Sequence, residues 1–520
     1  MQPNPVPGWV RRVAGWAPDR LAVRTHDGRR LSYGELDVRS DRLVNALHAH
    51  GLRPGDAVGL WMDDQVCNLE LYLAAAKAGY VLVPVNQRFT PPEARYLFTE
   101  SRARAVLYCD SVAARLDTVA GTGALDGALL LVAGRELVAG ASRYDDVVAA
   151  GSPRLDLPPP GADAPYLVAF SSGTTGYPKG AVLSGRAIGH IATMSALARR
   201  LTFYGTGVIT TSVSFAASIM ANVLTLLSMG GSMVLMGRDW DQDELLSLVE
   251  AEHANYLTLA SPHFAPFAEA ALRRPGTLAA VRSVVHGGSK VPREAMAGLH
   301  AAVGDRIAEV WGMVEHSGGP ITTTVPEDYH PGAGADDVLE SVGRPLPQVE
   351  LELRGPDGAV LPHDGTAVGE LVVRSPALMD GYLGRPADTA AALRAGWYHT
   401  GDLGRIDQAG YVYIVDRRGD LIVSGGMNIY PGEIERVLES CPGVAEAVVV
   451  GLPHPRWGRS PGAAVVRDPG ARLDADQLLA YLAERLAGYK KPTRLRFVDE
   501  LPRNVSGKVV RRAVEDLLAD

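Results

Sequence analysis

The chain has 520 residues, 47% apolar and 21% charged, a globular composition that argues against disorder. Its 51 basic and 59 acidic side chains leave a net charge of −8, so neither a nucleic acid nor an anionic membrane surface is an expected partner. The three cysteines, Cys67, Cys109 and Cys441, are odd in number and far apart, which argues against a disulfide framework or zinc knuckle and suits a reducing, cytoplasmic compartment.

Met1 to Trp16 is rich in proline and glycine and shows no signal-peptide core. Apolar strands then alternate with amphipathic helices. The pattern predicts strands over Ala57–Trp61, Val81–Val85, Ala105–Tyr108, Tyr166–Phe170, Gly207–Thr211, Ser232–Met236, Tyr256–Leu259, Val281–Val285 and Ile307–Val310, with a helix over Asn68–Ala78. Strands spaced by helices imply an α/β fold with parallel sheets. No stretch reaches the ~18 uninterrupted apolar residues of a membrane span. The greasiest, Ile219–Met236, is broken by Asn222, Ser228, Gly230, Gly231 and Ser232, and reads as a buried helix followed by a buried strand.

From about Ser341 the texture changes. Val349–Arg354, Gly369–Val373, Gly404–Ile406 and Tyr411–Val415 read as strands joined by turns such as Pro356-Asp357-Gly358, a small antiparallel β subdomain. Past Asp416 the reading is α+β: helices over Glu433–Glu439 and Ala475–Leu486, strands over Val444–Gly451, Ala463–Val466 and Arg494–Val498. The expected division is a large N-terminal domain (1–416), a polar hinge (417–420) and a small mobile C-terminal domain (421–520).

The strongest chemical signal is Phe170-Ser171-Ser172-Gly173-Thr174-Thr175-Gly176-Tyr177-Pro178-Lys179-Gly180. Its glycines let backbone N–H groups turn toward an anion, its hydroxyls add donors and Lys179 adds charge, which makes it a phosphate cradle by composition. It follows a predicted strand, precedes a helix-like stretch, and does not match the G-x-x-x-x-G-K-[ST] spacing. The lysine stands out because the chain keeps only six lysines among its basic residues, so a compact charge is retained there.

On this loop the sequence resembles the adenylate-forming superfamily of acyl-CoA synthetases, peptide-synthetase adenylation domains and firefly luciferases. Four later segments follow in that family's order: Val310-Trp311-Gly312-Met313-Val314-Glu315, Trp397-Tyr398-His399-Thr400-Gly401-Asp402, Asp416 to Glu435, and Pro502-Arg503-Asn504-Val505-Ser506-Gly507-Lys508. The resemblance spans about Leu21 to Ala513. It implies that Ser171, Ser172, Gly173, Thr174, Thr175, Gly176 and Lys179 hold the phosphates of ATP. Trp311, with Gly312 beside it, matches the aromatic on adenine, and Asp402 and Arg417 match ribose contacts. Glu315, with Thr174, would hold Mg²⁺, a hard cation suited to oxygen ligands. Gly287, Gly288 and Ser289 would line adenine and the acyl pocket. Lys508 would reach the carboxylate and α-phosphate, where charge grows in the transition state. Gly425 and Gly426 would help shape the CoA tunnel, and Gly419 occupies the family's hinge position.

Three departures bear on the substrate. Val314 replaces a threonine, Leu183-Ser184-Gly185-Arg186 lacks a histidine, and Ser212-Val213-Ser214-Phe215 puts Phe215 at the gate. His263, His286 and Lys290 are further candidates for the acid pocket, more polar than a fatty-acid tunnel needs. The resemblance therefore implies an ATP- and Mg²⁺-dependent ligase of a polar, aryl or dicarboxylic acid with CoA. A carrier-protein thiol or an amine as acceptor, or activation of nitrite for aryl-amine diazotisation in natural-product biosynthesis, remains the alternative, a nucleotide-binding regulator without turnover the more distant reading, and a homodimer is left open.

Overall fold

Alternating strand and helix close into two large sheets wrapped by helices, a smaller antiparallel sheet, and a C-terminal α+β unit. The computed structural model describes residues 2–171, 178–237, 240–260, 263–288, 291, 293–330, 332, 334, 337–417, 420, 422–424, 427–429, 431–455, 457–486, 488–504 and 507–519, with only the backbone of Ser171, Arg417, Val423, Met427, Asn428, Gly458 and Tyr489.

Among these residues one sheet has eight strands, in the order Gly381–Tyr382, Lys179–Ser184, Pro165–Ser171, Val81–Pro84, Ala57–Trp61, Ala105–Tyr108, Leu129–Val132 and Ser142–Arg143. Its centre is parallel and every residue of Ala57–Trp61 is buried, as expected of strands covered on both faces. The covering helix Val66–Ala78 is buried nearly all round, including Glu70 and Lys77. Both charges are paired: Glu70 with Arg39 at 2.6 Å, Lys77 with Asp37 at 2.6 Å and Asp41 at 2.5 Å.

The second sheet has nine strands and a parallel centre running Ile307–Gly312, Ser283–Gly287, Tyr256–Thr258, Thr206–Ile209, Ser232–Leu235 and Leu21–Thr25. The apolar stretch after Phe215 is indeed helix and then strand, with a π turn at Ile219–Val223. The antiparallel sheet pairs Glu350–Arg354, Gly369–Arg374, Trp397–Ile406 and Val412–Arg417.

Two local expectations change. The Ser/Thr/Gly loop does not run from a strand into a helix. It joins the antiparallel strands Pro165–Ser171 and Lys179–Ser184, with Phe170 opposite Gly180 and Ser171 opposite Lys179. The apolar run Ala181-Val182-Leu183 continues the sheet, and the helix Gly185–Ala198 starts only after Ser184, whose hydroxyl caps it. Likewise Arg417, the first residue of the expected hinge, still ends a strand, opposite Asp402.

In the C-terminal unit the hairpin Val444–His454 and Gly458–Arg467 carries Arg494–Val498 in parallel on its flank, and the helix Pro431–Glu439 packs on Val444–His454. Glu435 accepts hydrogen bonds from the Val449 N–H at 2.8 Å and Arg511 Nη1 at 2.7 Å. Asp416 Oδ2 accepts from the Gly432 N–H at 2.9 Å, joining the end of the antiparallel sheet to the start of that helix. Glu435→Ala leaves the Val449 N–H without its acceptor and Arg511 with Asp420, at 3.2 Å, as its remaining carboxylate, so it should destabilise this unit by roughly 1–3 kcal/mol, measured by urea unfolding. Glu435→Gln, which keeps an acceptor, should lose less.

Candidate active site

The strand Ile307–Gly312 ends where the nine-stranded and antiparallel sheets meet. Trp311, near that end, is buried among Ile321, Leu353, Leu371 and Ile406. Its indole N–H donates to Asp402 Oδ2 at 2.8 Å, so a side chain from each sheet meets there. Asp402 is itself buried, its N–H donates to Thr400 Oγ1 at 3.0 Å, and Arg417 lies opposite it in register. Gly312 is required by contact: a Cβ there would lie 2.2 Å from the Gly319 carbonyl oxygen.

The chain then makes a 3₁₀ turn over Val314–His316 that turns Glu315 inward. A buried carboxylate needs donors. Tyr382 supplies one, donating its hydroxyl to Glu315 Oε1 at 3.0 Å. Tyr398 hydrogen-bonds Tyr382 in turn, and burial followed by the Glu315 charge pushes both phenols well above their usual range. Both therefore stay protonated as donors at neutral pH. Val314 packs with Met313 against the large core. His316 is fully buried, with Nε2 2.8 Å from Ser375 Oγ, and burial pushes it down to about 4, so it is neutral at pH 7.

Tyr382 sits in register with Ala181, two residues from Lys179. The Lys179 ammonium lies 5.5 Å from the Tyr382 ring centroid and 2.6 Å from Asp388 Oδ1. That hydrogen bond holds the Asp388 carboxyl below its usual range. Glu315 and Lys179, 136 positions apart in the numbering, thus meet through one tyrosine. Ser172, Gly173, Thr174, Thr175 and Gly176 lie outside the described residues, as do Ser289, Lys290, Gly419, Gly425 and Gly426. Among the described residues no cluster of three or more His, Cys, Asp or Glu forms a metal site. Of the two expected Mg²⁺ ligands Glu315 is the described one, and a carboxylate suits Mg²⁺, which takes one or two carboxylates and completes its shell with phosphate and water oxygens.

On the other flank, Phe215 is 42% exposed ahead of the short helix Ala216–Ser218. The segment before it is tied to Asp64, whose Oδ1 accepts from Ser212 Oγ at 2.7 Å and the Val213 N–H at 2.9 Å. Burial pushes the Asp64 carboxyl up to about 6 against the pull of those two donors. His263 lies against Trp240, the rings tilted by 34° with centroids 4.5 Å apart, and meets Gln242 at 3.3 Å, and burial lowers its pKa. Gly288 adopts a φ of +89° with open space where a Cβ would be, a backbone only glycine takes without strain.

His286 is corrected. It is buried with Nδ1 2.6 Å from Glu309 Oε2, and meets Phe264 edge-on at 4.8 Å. Strand alternation explains this: Val285 joins the large core, whereas His286 shares its face with Val284, which packs in the same cluster as Phe264. An imidazole facing that core is not turned to an acid. Lys508 is exposed in a tight turn, its N–H donating to Asn504 Oδ1 at 3.0 Å while the Asn504 N–H donates back to the Lys508 carbonyl at 2.8 Å.

The AMP-binding enzyme family model matches residues 10–383, and the AMP-binding enzyme C-terminal domain matches 433–508. The chain belongs to the AMP-binding enzyme family. A feruloyl-CoA synthase from an Amycolatopsis species is 35% identical over 97% of each chain. A long-chain-fatty-acid–CoA ligase from Mycobacterium tuberculosis is 31% identical over 98% of each. The crystal structure of ATP-bound MatB from Rhodopseudomonas palustris matches with a TM-score of 0.88 and 30% identity over 99% of both chains. The protein is thus an AMP-forming acid–CoA ligase-family enzyme, with a large α/β domain and a small α+β domain.

Motif reading of this AMP-binding enzyme missed Tyr382, Tyr398, Asp388 and Asp64. Tyr398 lies in the quoted Trp397–Asp402 segment but drew no role there, and Tyr382, Asp388 and Asp64 lie in no chemically suggestive pattern, although Tyr382 follows a glycine between two predicted strands. Asp64 generates a test of its own. A carboxyl raised from 3.8 to about 6 in the fold binds its proton more tightly there than in the unfolded chain. Its contribution is present below about pH 4 and is lost as pH rises through about 6. Asp64→Asn should therefore be more stable than the parent at pH 7.5, by on the order of 2 kcal/mol, and the difference should vanish at pH 4. Denaturant melts at the two pH values check this.

Proposed function

We propose that this enzyme activates a carboxylic acid with ATP and passes the acyl group to the thiol of CoA. The observation that carries the reading is that the chain running from Trp311 to Glu315 joins two clusters, Trp311 with Asp402 and Glu315 with Tyr382 and Lys179. An acid carboxylate oxygen attacks the α-phosphorus, and pyrophosphate leaves. The CoA thiolate sulfur then attacks the acyl carbon, and AMP leaves.

Each residue has a role in this scheme. Trp311 packs on adenine, and Asp402 and Arg417 hold the ribose. The loop Ser171–Gly176 and Lys179 hold phosphate oxygens, with Lys179 exchanging Asp388 for the nucleotide. Glu315, oriented by Tyr382, would hold Mg²⁺, which supplies charge neutralisation at the phosphates. Lys508, presented on its exposed turn, acts on the growing charge of the first step. A hinge at 417–420, between domains 1–416 and 421–520, moves it in and out. Three buried free cysteines suit a reducing cytoplasmic setting, and among the described residues no helix is long and apolar enough to cross a membrane.

For the acid we favour a polar, aryl or dicarboxylic compound. His263 on Trp240 puts a ring platform with a polar edge beside the strand ends, and the feruloyl-CoA synthase relative supports an aryl acid. His286 no longer contributes to that argument. Pyrophosphate release across a panel of aryl, dicarboxylic and fatty acids and nitrite, with mass spectrometry of products with and without CoA, tests the whole reading. An acyl-CoA product supports it. Adenylation followed only by amine or carrier-protein transfer moves the acceptor. Pyrophosphate release from no acid removes the activity.

Two further outcomes are expected. Lys508→Ala should slow adenylation by ~10²–10³ while sparing thioester formation from supplied acyl-adenylate, measured as separate half-reactions. Equal losses would remove the assigned role. Trypsin should cut the native protein beside Arg417-Arg418, more slowly with ATP and acid present, read by intact-mass analysis of the fragments.

A further inference from the structure

Six residues separate the end of the strand Thr206–Ile209 from the helix Ala216–Ser218, and Phe215 is the last of them. Such a segment has no sheet or helix of its own to fix it. Its polar groups are nevertheless anchored, and largely from one direction. Asp64 takes the Ser212 hydroxyl and the Val213 N–H on a single oxygen. The Val213 carbonyl accepts from the Tyr72 hydroxyl. Ser214 Oγ donates to the Met62 carbonyl at 2.7 Å and accepts from Asn68 Nδ2 at 3.0 Å. Met62 and Asp64 lie between the strand Ala57–Trp61 and the helix Val66–Ala78, and Asn68 and Tyr72 lie on that helix. The rigid centre of the eight-stranded sheet therefore holds a loop of the nine-stranded one.

Within this clamp Asp64 provides the charged acceptor, and hydrogen bonds to an ionised group are about twice as strong as neutral ones. The residue it anchors at one remove, Phe215, is a large apolar side chain left 42% exposed. None of Trp311, Asp402, Glu315 or Lys179 is among the partners of Asp64 described above.

We propose that Asp64 is a positioning residue for acid selection: by pinning Ser212 and Val213 it fixes where Phe215 stands at the mouth of the acid pocket. This rests on the reading that Phe215 flanks that pocket. The nucleotide side is held independently by Trp311–Asp402 and by Tyr382–Glu315, so loosening the clamp affects the acid and leaves ATP alone.

The test measures pyrophosphate release with acid and ATP varied separately, for the parent, Asp64→Ala, Asp64→Asn, Ser212→Ala and Phe215→Ala, using the best acids from the panel. Asp64→Ala should raise KM for the acid about 10-fold or more and flatten the ranking among acids, with KM for ATP unchanged. Asp64→Asn should restore most of the ranking, because its amide oxygen accepts from the same two donors. Ser212→Ala, which removes one of the two donors, should fall between, and it decides the matter by the same criteria if Asp64→Ala does not fold. An acid ranking altered by Phe215→Ala but untouched by Asp64→Ala and Ser212→Ala overturns the positioning role while keeping the pocket. A ranking untouched by Phe215→Ala as well removes Phe215 from the acid side. Parallel rises in both KM values make Asp64 a general structural residue and overturn the inference.

Discussion

Burying the Glu315 carboxylate is the constraint from which the arrangement around it follows. A carboxylate taken out of water must find donors, or it protonates or unfolds its surroundings. The donor here is a phenol on the two-residue strand Gly381–Tyr382, which finds its place by pairing with Lys179–Ser184. That pairing puts Lys179 at the Tyr382 ring face and Asp388, one turn into the next helix, at the lysine. A second phenol, Tyr398, braces the first from the antiparallel sheet. One buried charge thus binds three parts of the chain, distant in sequence, into one cluster.

The junction at Trp311 works by the same logic with a different group. An indole buried among aliphatic side chains still carries one N–H, and a buried N–H needs an acceptor. Asp402 supplies it from the antiparallel sheet. Asp402 in turn is held by the strand pairing with Arg417 and Asp416, and the Asp416 side chain accepts from the first turn of the helix Pro431–Glu439. Asp402 and the Asp416–Arg417 end therefore sit side by side on one antiparallel strand pair, Trp397–Ile406 and Val412–Arg417. A change in the orientation of that end acts on Asp402 across a single ladder step.

The central parallel strands were legible because each is a short buried run: Ala57–Trp61 and Ala105–Tyr108 fall where periodicity places them. Motif residues such as Glu315, Asp402 and Lys179 were legible because their neighbours are chemically distinctive. The loop after Ser171 was misread as strand-to-helix because its glycines hide the hairpin that register alone reveals. His286 was misplaced because a histidine beside Gly287-Gly288 looks like a pocket residue until strand alternation assigns its face. Tyr382 and Asp64 were illegible for a different reason. Each acts on a partner more than sixty positions away, and no local pattern encodes such a pairing.

In the proposed reaction, the Lys179–Asp388 pair would order the site before a nucleotide arrives without resisting it. Lysine and aspartate side chains there are 19% and 35% exposed. A pair that open to water contributes about 0–1 kcal/mol, enough to hold the ammonium above the Tyr382 ring but little to give up. A polyphosphate offers the same ammonium several negative oxygens and greater charge density than one carboxylate. Charge-assisted contacts of that kind are worth roughly twice a neutral hydrogen bond each. In the proposed reaction, giving up Asp388 for phosphate would therefore cost little, and the released carboxylate would return to solvent on an exposed helix turn. Glu315 differs in this respect. Its burial and its tyrosine partner make it expensive to move, so in the proposed reaction it stays as the fixed reference while the lysine changes partners.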